Sequence, residues 1–187
     1  GYSNLTYCLL GLVLEQLTDL PFTEALESTL GIRKFGMQFI AGPYLPDEVQ
    51  YDFRHAGFYG ENYYEYMDFP ALASSAGLSG TALGVIEWIA AQRQNNTLTV
   101  TQHVWPQECD LSKKRACYGY ALFPYRKQGS DLLVQVQQGY VFGASSSLIF
   151  DEHGGVLVWL GNGSAPKGSA SDNMLDAMYE LLAAHYE

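Results

Sequence analysis

The side chains able to do chemistry in this sequence are few, and most stand apart from one another. His55, His103, His153 and His185 are scattered, and none has a serine or cysteine partner at a recognisable spacing. His153 falls in a turn and His185 in a last helical turn, where a cation suits the helix dipole, so neither is assigned a catalytic role. Cys8 sits in an apolar helix and reads as a small buried hydrophobe. Cys109 and Cys117 flank a short polar connection; a bridge between them requires an oxidising compartment, and sequence alone leaves the connectivity open. No second Cys or His pair has zinc-ligand spacing, and no metal or cofactor is expected. Lys113-Lys114-Arg115 reads as a solvated loop. There remain Tyr2-Ser3-Asn4, run straight into an apolar helix, and Gln137-Gln138-Gly139-Tyr140 within a strand. Taken alone, the first is a helix start with Ser3 or Asn4 as N-cap.

The elements that must position these residues follow from periodicity. Residues 5–17 are apolar nearly all round, which predicts a buried helix. Pro21 suits the first turn of a second helix that reaches Leu30 and ends at Gly31. From Pro43 to Pro70 there is little periodicity but nine aromatics, Tyr44 to Phe69, which either line a cleft or pack a loop onto the body. Ser74–Thr81 reads as a small-residue turn with Ser79 or Thr81 capping a helix whose apolar face is Ala82, Val85, Ile86, Ile89 and Ala90. The polar stretch 92–97 marks the boundary between a helical region, 1–95, and a sheet region, 96–187. Strands are expected over 98–104, 118–125, 132–137, 145–150 and 156–160, the last two joined as a hairpin through Asp151–Gly155. Ser171 or Asp172 is expected to cap a last helix with Met174, Leu175, Met178, Leu181 and Leu182 on one face. The order implies an α+β protein with an antiparallel sheet and a helix laid across it.

Composition narrows the partners. The net charge of −10 excludes nucleic acid and anionic membrane surfaces, which need basic patches. No apolar run approaches the roughly 20 residues that span a bilayer. A chain that opens on Gly-Tyr, without Met, is expected to be a processed product or part of a longer protein.

Several motifs, in order, resemble those of the class C β-lactamases and related penicillin-binding-protein-like serine hydrolases. Tyr2-Ser3-Asn4 followed by Leu9-Leu10-Gly11 and Pro21-Phe22 is similar to the family's Tyr-x-Asn motif, its helix and its Pro-Phe break, with Asp19 where a glycine is usual. Ser75–Ala82 resembles the family's Ala-Gly-Gly-Leu-x-Ser-Thr-Ala turn. Gln137-Gln138-Gly139 aligns with its Lys/His-Thr/Ser-Gly strand, Gly143 with the glycine beyond. The resemblance implies a β-lactamase/transpeptidase-like fold, incomplete here, and an exported, periplasmic bacterial protein.

The resemblance also implies the chemistry. A serine is acylated by an ester or amide substrate and a lysine three residues on helps deprotonate it. Tyr2 is then the base or proton shuttle, its phenol lowered from about 10 by that cation. Asn4 donates to substrate or lysine, and the backbone N–H of Tyr140 is one oxyanion donor. Gln137, Gln138 and Gly139 contact substrate, Gly139 by permitting close approach. Gln137 supplies no charge where the family has a cation or imidazole, which points to an esterase or amidase, or to a catalytically dead binding or scaffold domain. The Ser-x-x-Lys segment is expected outside this chain, because Ser112 is followed by Arg115 at the lysine position. A missing segment or partner chain is therefore expected to complete the site, facing Tyr2 and Gly139 across one cleft. Without it, self-association through an exposed sheet edge is expected.

Overall fold

The chain is described here from a computed structural model covering residues 3–41, 68–95, 108–141, 144–163 and 169–186. It forms two units, residues 1–88 and 89–187. The expected strand at 98–104 and the aromatic stretch as far as residue 67 lie outside the described residues.

In the first unit, α1 runs Asn4–Thr18 and α2 Phe22–Leu30. Ser3 is the N-cap of α1, although its side chain makes no capping bond. Asp19 closes the helix in the left-handed region at φ 56°, which is why a glycine suits this position. Pro21 precedes α2 and offers no side-chain acceptor, so Glu15 of α1 supplies one: its Oε1 accepts from Phe22 N at 2.8 Å. Gly31 ends α2 at φ 60°, as expected. The expectation that α1 is buried all round is corrected, since Gly11 is its one buried residue.

A 3-10 turn, Ile32–Phe35, leads to β1, Gln38–Phe39. A one-turn helix α3, Phe69–Leu72, is capped by Asp68, which accepts from Ala71 N at 3.1 Å. The stretch read as a turn contains a strand, β2 (Leu78–Ser79), antiparallel to β1. Thr81 then caps α4, Ala82–Gln94, through Gly84 N at 3.0 Å. Gly84 cannot be larger, because a Cβ there would lie 2.1 Å from the carbonyl oxygen of Phe35. Trp88 Nε1 donates to Leu30 O at 3.2 Å and ties α4 to the end of α2.

The second unit holds a four-stranded antiparallel sheet in the order β3-β4-β5-β6, with α5 (Ser169–Ala183) on one face. The strands are β3 Phe123–Tyr125, β4 Val134–Val141, β5 Ala144–Asp151 and β6 Val156–Gly161. The first is shorter than its aromatic run predicts. Ala121 sits at φ 62° and Gly119 N donates to Leu122 O at 2.7 Å, a turn that keeps 119–122 out of the ladder. Tyr125, Val134, Val136 and Ile149 of the sheet pack on Leu175, Met178, Tyr179 and Leu182 of α5. Tyr179 takes the place expected of Leu181, which faces solvent, because its phenol donates to Leu132 O at 2.7 Å and seals the core edge. The helix also begins before Ser171 and Asp172, which fall in its first turn rather than at its cap.

The β5–β6 hairpin is built on Asp151. It is fully buried, its Oδ1 accepts from His153, Gly154 and Gly155 N at 2.7 to 3.0 Å, and its Oδ2 accepts from Tyr186 OH at 2.7 Å. Arg93 at the end of α4 donates to the Asp151 and Glu152 carbonyls.

Candidate active site

The strand β4 carries four of the six expected site residues, and its period of two sorts them. Cross-strand partners share a face, so Gln138 and Tyr140, opposite Ser147 and Ser145, lie on the α5 side. Gln137 and Gly139, opposite Leu148 and Ser146, lie on the other. Asn4 is the first residue of α1, in the other unit, and Tyr2 lies outside the described residues.

On the face away from α5, Gly139 gives Ser146 its space: a Cβ there would lie 2.5 Å from Ser146 Oγ. Gln137 Oε1 is buried with no hydrogen-bond partner among the described residues, and so are both amide atoms of Gln135 on the same face. Among the described residues the strand side chains around Gly139 on this face are a carboxamide, a hydroxyl and apolar groups, with no charge. They can donate to and accept from neutral groups, but none of these side chains serves as a base at neutral pH. Beyond Val136 the strand outruns β3, so among the described residues its last part has a strand neighbour on the β5 side only.

The α5 face is different. Gln138 Oε1 accepts from Arg115 Nη2 at 2.6 Å, and its Nε2 lies 3.3 Å from Ser171 Oγ. Arg115 also pairs with Asp172 at 2.7 Å, and Lys114 with Asp176 at 2.7 Å. The basic run expected to be solvated is thus docked, in its second and third residues, on the start of α5. The docking is held by the Cys109–Cys117 disulfide, with Cα atoms 5.4 Å apart, which closes the loop that carries it. Sequence reasoning missed Arg115 and Ser171 as neighbours of the strand; the acidic residues spaced along the start of α5 were the only signal.

Perturbed ionisation is found on β3, in two loops and near the end of the chain. Burial pushes the Tyr125 phenol up, helped by Asp176 nearby. Burial, then the hydrogen bond to Asp151, raises Tyr186. Lys127 is raised by its bond to Glu180, and Asp110 is lowered by Ser112. Among the described residues no group of three His, Cys, Asp or Glu side chains is placed to hold a metal ion.

One expectation is corrected by the sequence itself. Ser164-Ala165-Pro166-Lys167 does have Ser-x-x-Lys spacing. It follows the Gln137–Gly139 strand instead of preceding Tyr2, so it does not stand where the resemblance puts the nucleophile. It lies outside the described residues.

The fold is of the α+β class and is shared with solved structures of other proteins. D-amino acid amidase from Ochrobactrum anthropi SV3, complexed with L-phenylalanine amide, superimposes with a TM-score of 0.73 at 18% identity, over 100% of this chain and 58% of that one. SurE superimposes with a TM-score of 0.66 at 21% identity, over 98% of this chain and 45% of that one. At these identities the likeness shows the fold. Among curated proteins, two named for fimbrial assembly in Dichelobacter nodosus match: FimD of serogroup D at 35% identity and FimD of serogroup H1 at 33%, each over 97% of this chain. The chain spans 46% of the length of these relatives. No family model matches. The expected membership of the class C β-lactamase-like family is corrected by these findings, which point to an amidase and SurE in structure and to fimbrial assembly proteins in sequence. The coarse expectation, helices with an antiparallel sheet and a C-terminal helix on it, stands. No helix among the described residues is long and apolar enough to cross a membrane.

Proposed function

We propose that this chain is part of an exported serine hydrolase with the amidase's fold, cleaving an amide bond of a small substrate. The observation that carries the reading is the superposition of the whole chain on 58% of D-amino acid amidase. In this reading Tyr2 is the proton shuttle, Asn4 a donor to substrate and the backbone N–H of Tyr140 an oxyanion donor. Gln137 and Gly139 line the substrate strand, and the uncharged face around them suits a neutral amide better than a carboxylate. Gln138 acts as a support for that strand through Arg115 and Ser171. In this reading Ser164 is not the nucleophile, because its Ser-x-x-Lys spacing follows the Gln137–Gly139 strand; the nucleophile comes from outside the 187 residues and the chain alone is inert. Export is supported by the disulfide and by relatives named for fimbrial assembly.

The test uses the full-length protein and the 187-residue chain, each with a fluorophosphonate probe and with D-phenylalanine amide. The full-length protein should be labelled on one serine and release ammonia, while the chain alone does neither. Labelling of the chain alone, or of neither protein, overturns the reading.

A second reading has its own support: a catalytically dead binding or scaffold domain of the same fold. Gln137 has no cation to offer, and the relatives at 35% and 33% identity are named for assembly rather than for hydrolysis. An unlabelled full-length protein that still binds D-phenylalanine amide would select it.

A further inference from the structure

The helix α1 is amphipathic the wrong way round. At about 100° per residue, its exposed apolar side chains fall within an arc of about 160°. They are Leu5, Leu9, Leu10, Leu12, Val13 and Leu17, each more than half exposed, with Leu17 at 80%. Thr6 and Gln16 are the polar residues in that arc. The opposite arc faces its own unit, and it is the more polar of the two. There Gly11 meets the turn after α3, where a Cβ would lie 2.7 Å from Ser74 Cβ, and Glu15 caps α2. A surface helix of a self-sufficient domain buries its apolar arc and solvates its polar one. Here the leucines are the part left in water, and six clustered large side chains form the kind of patch that marks an interaction surface.

The kind of partner is set by what the face carries and by how the chain compares with its relatives. Glu15 is the one charged residue of α1 and it faces inward, so the exposed arc has no lysine or arginine to meet anionic lipid. In the curated relatives the region matched by this chain is 46% of the protein, and in the amidase 58%. Each of those proteins adds a polypeptide of comparable size to the fold seen here. We propose that the apolar arc of α1 is the seat of that additional polypeptide, a segment of the complete fold that docks through apolar side chains against Leu5, Leu9, Leu12 and Val13. The proposal rests on the fold likeness and the exposed arc and does not depend on hydrolysis, so an inactive full-length protein leaves it standing.

The experiment co-expresses the 187-residue chain with the part of the Dichelobacter nodosus serogroup D protein that lies outside the matched 182 residues. The two should co-purify at one to one, and hydroxyl-radical footprinting should show Leu5, Leu9 and Val13 protected at least fivefold relative to the chain alone. The pair Leu9→Lys and Val13→Lys should reduce complex recovery at least tenfold while leaving the thermal midpoint of the chain alone unchanged. Lys substitution at Leu181, exposed on α5, should leave recovery intact. The proposal is overturned by absence of co-purification, by a complex that survives the double substitution, or by a homodimer that the same substitutions dissolve, since the occupant would then be a second copy.

Discussion

Two phenols among the described residues hold their protons beyond the ordinary range. Tyr125 and Tyr186 are both raised above the ordinary tyrosine value of about 10, first by burial. The folded state therefore keeps these protons to higher pH than the unfolded chain does. Their contribution to stability is whole below about pH 10 and is lost as pH rises through the folded values. Chemical denaturation followed between pH 8 and pH 11.5 should show stability flat at first and then falling; Tyr186→Phe should make the fall shallower. That substitution also leaves Asp151 Oδ2 without its partner, at a cost of about 1–3 kcal/mol at pH 7. Gln135 behaves in the opposite sense. Its amide is fully buried with neither atom paired among the described residues, so Gln135→Met, close in shape, should raise stability by about 1 kcal/mol in urea denaturation. A loss of stability would show that the amide has a partner.

The elements are held by their ends as much as by their faces. Asp19 occupies the left-handed region, where a side chain costs about 1–2 kcal/mol, and the flexibility of a glycine in the unfolded chain offsets part of the gain. Asp19→Gly should therefore stabilise by about 0.5 kcal/mol. Gly84→Ala should do the reverse, because the new Cβ meets a backbone oxygen that cannot rotate away; a loss of about 3 kcal/mol is expected. Thermal melts of the two variants on one scale decide both. Among the elements, those whose limits are written locally were legible: Gly31 ends α2, Thr81 caps α4, and the Asp151–Gly155 turn joins β5 to β6. The shortening of β3 was not, because it depends on a turn at Ala121 that an aromatic run conceals.

For the molecule as a whole, the disulfide is the clearest long-lived constraint. It spans a sequence separation of 8, and Cys117 is fully buried. Closing so short a loop is worth about 2.5 kcal/mol in the chain-entropy account, so the pair Cys109→Ser and Cys117→Ser should lower unfolding stability by that amount. The same variant should loosen Lys114 and Arg115 from α5, read as faster hydrogen exchange over residues 169–176. Among the described residues β3 and β6 are the two edge strands of the four-stranded sheet.

The amino-acid sequence by itself determined the class of fold, the end of α2, the cap of α4, the hairpin and the cysteine pair that brackets a loop. Each is written in neighbours a few residues apart, through period, caps and turn residues, and needs no distant partner to be read. The tertiary structure decided which arc of α1 is covered, that Tyr179 and not Leu181 enters the core, and that Gln137 and Gln138 serve opposite faces of one sheet with different company. Burial and pairing depend on what arrives from elsewhere in the chain, and a leucine-rich helix carries no record of which side will meet it. That is why α1 reads as buried in the sequence while the fold leaves its apolar side in water.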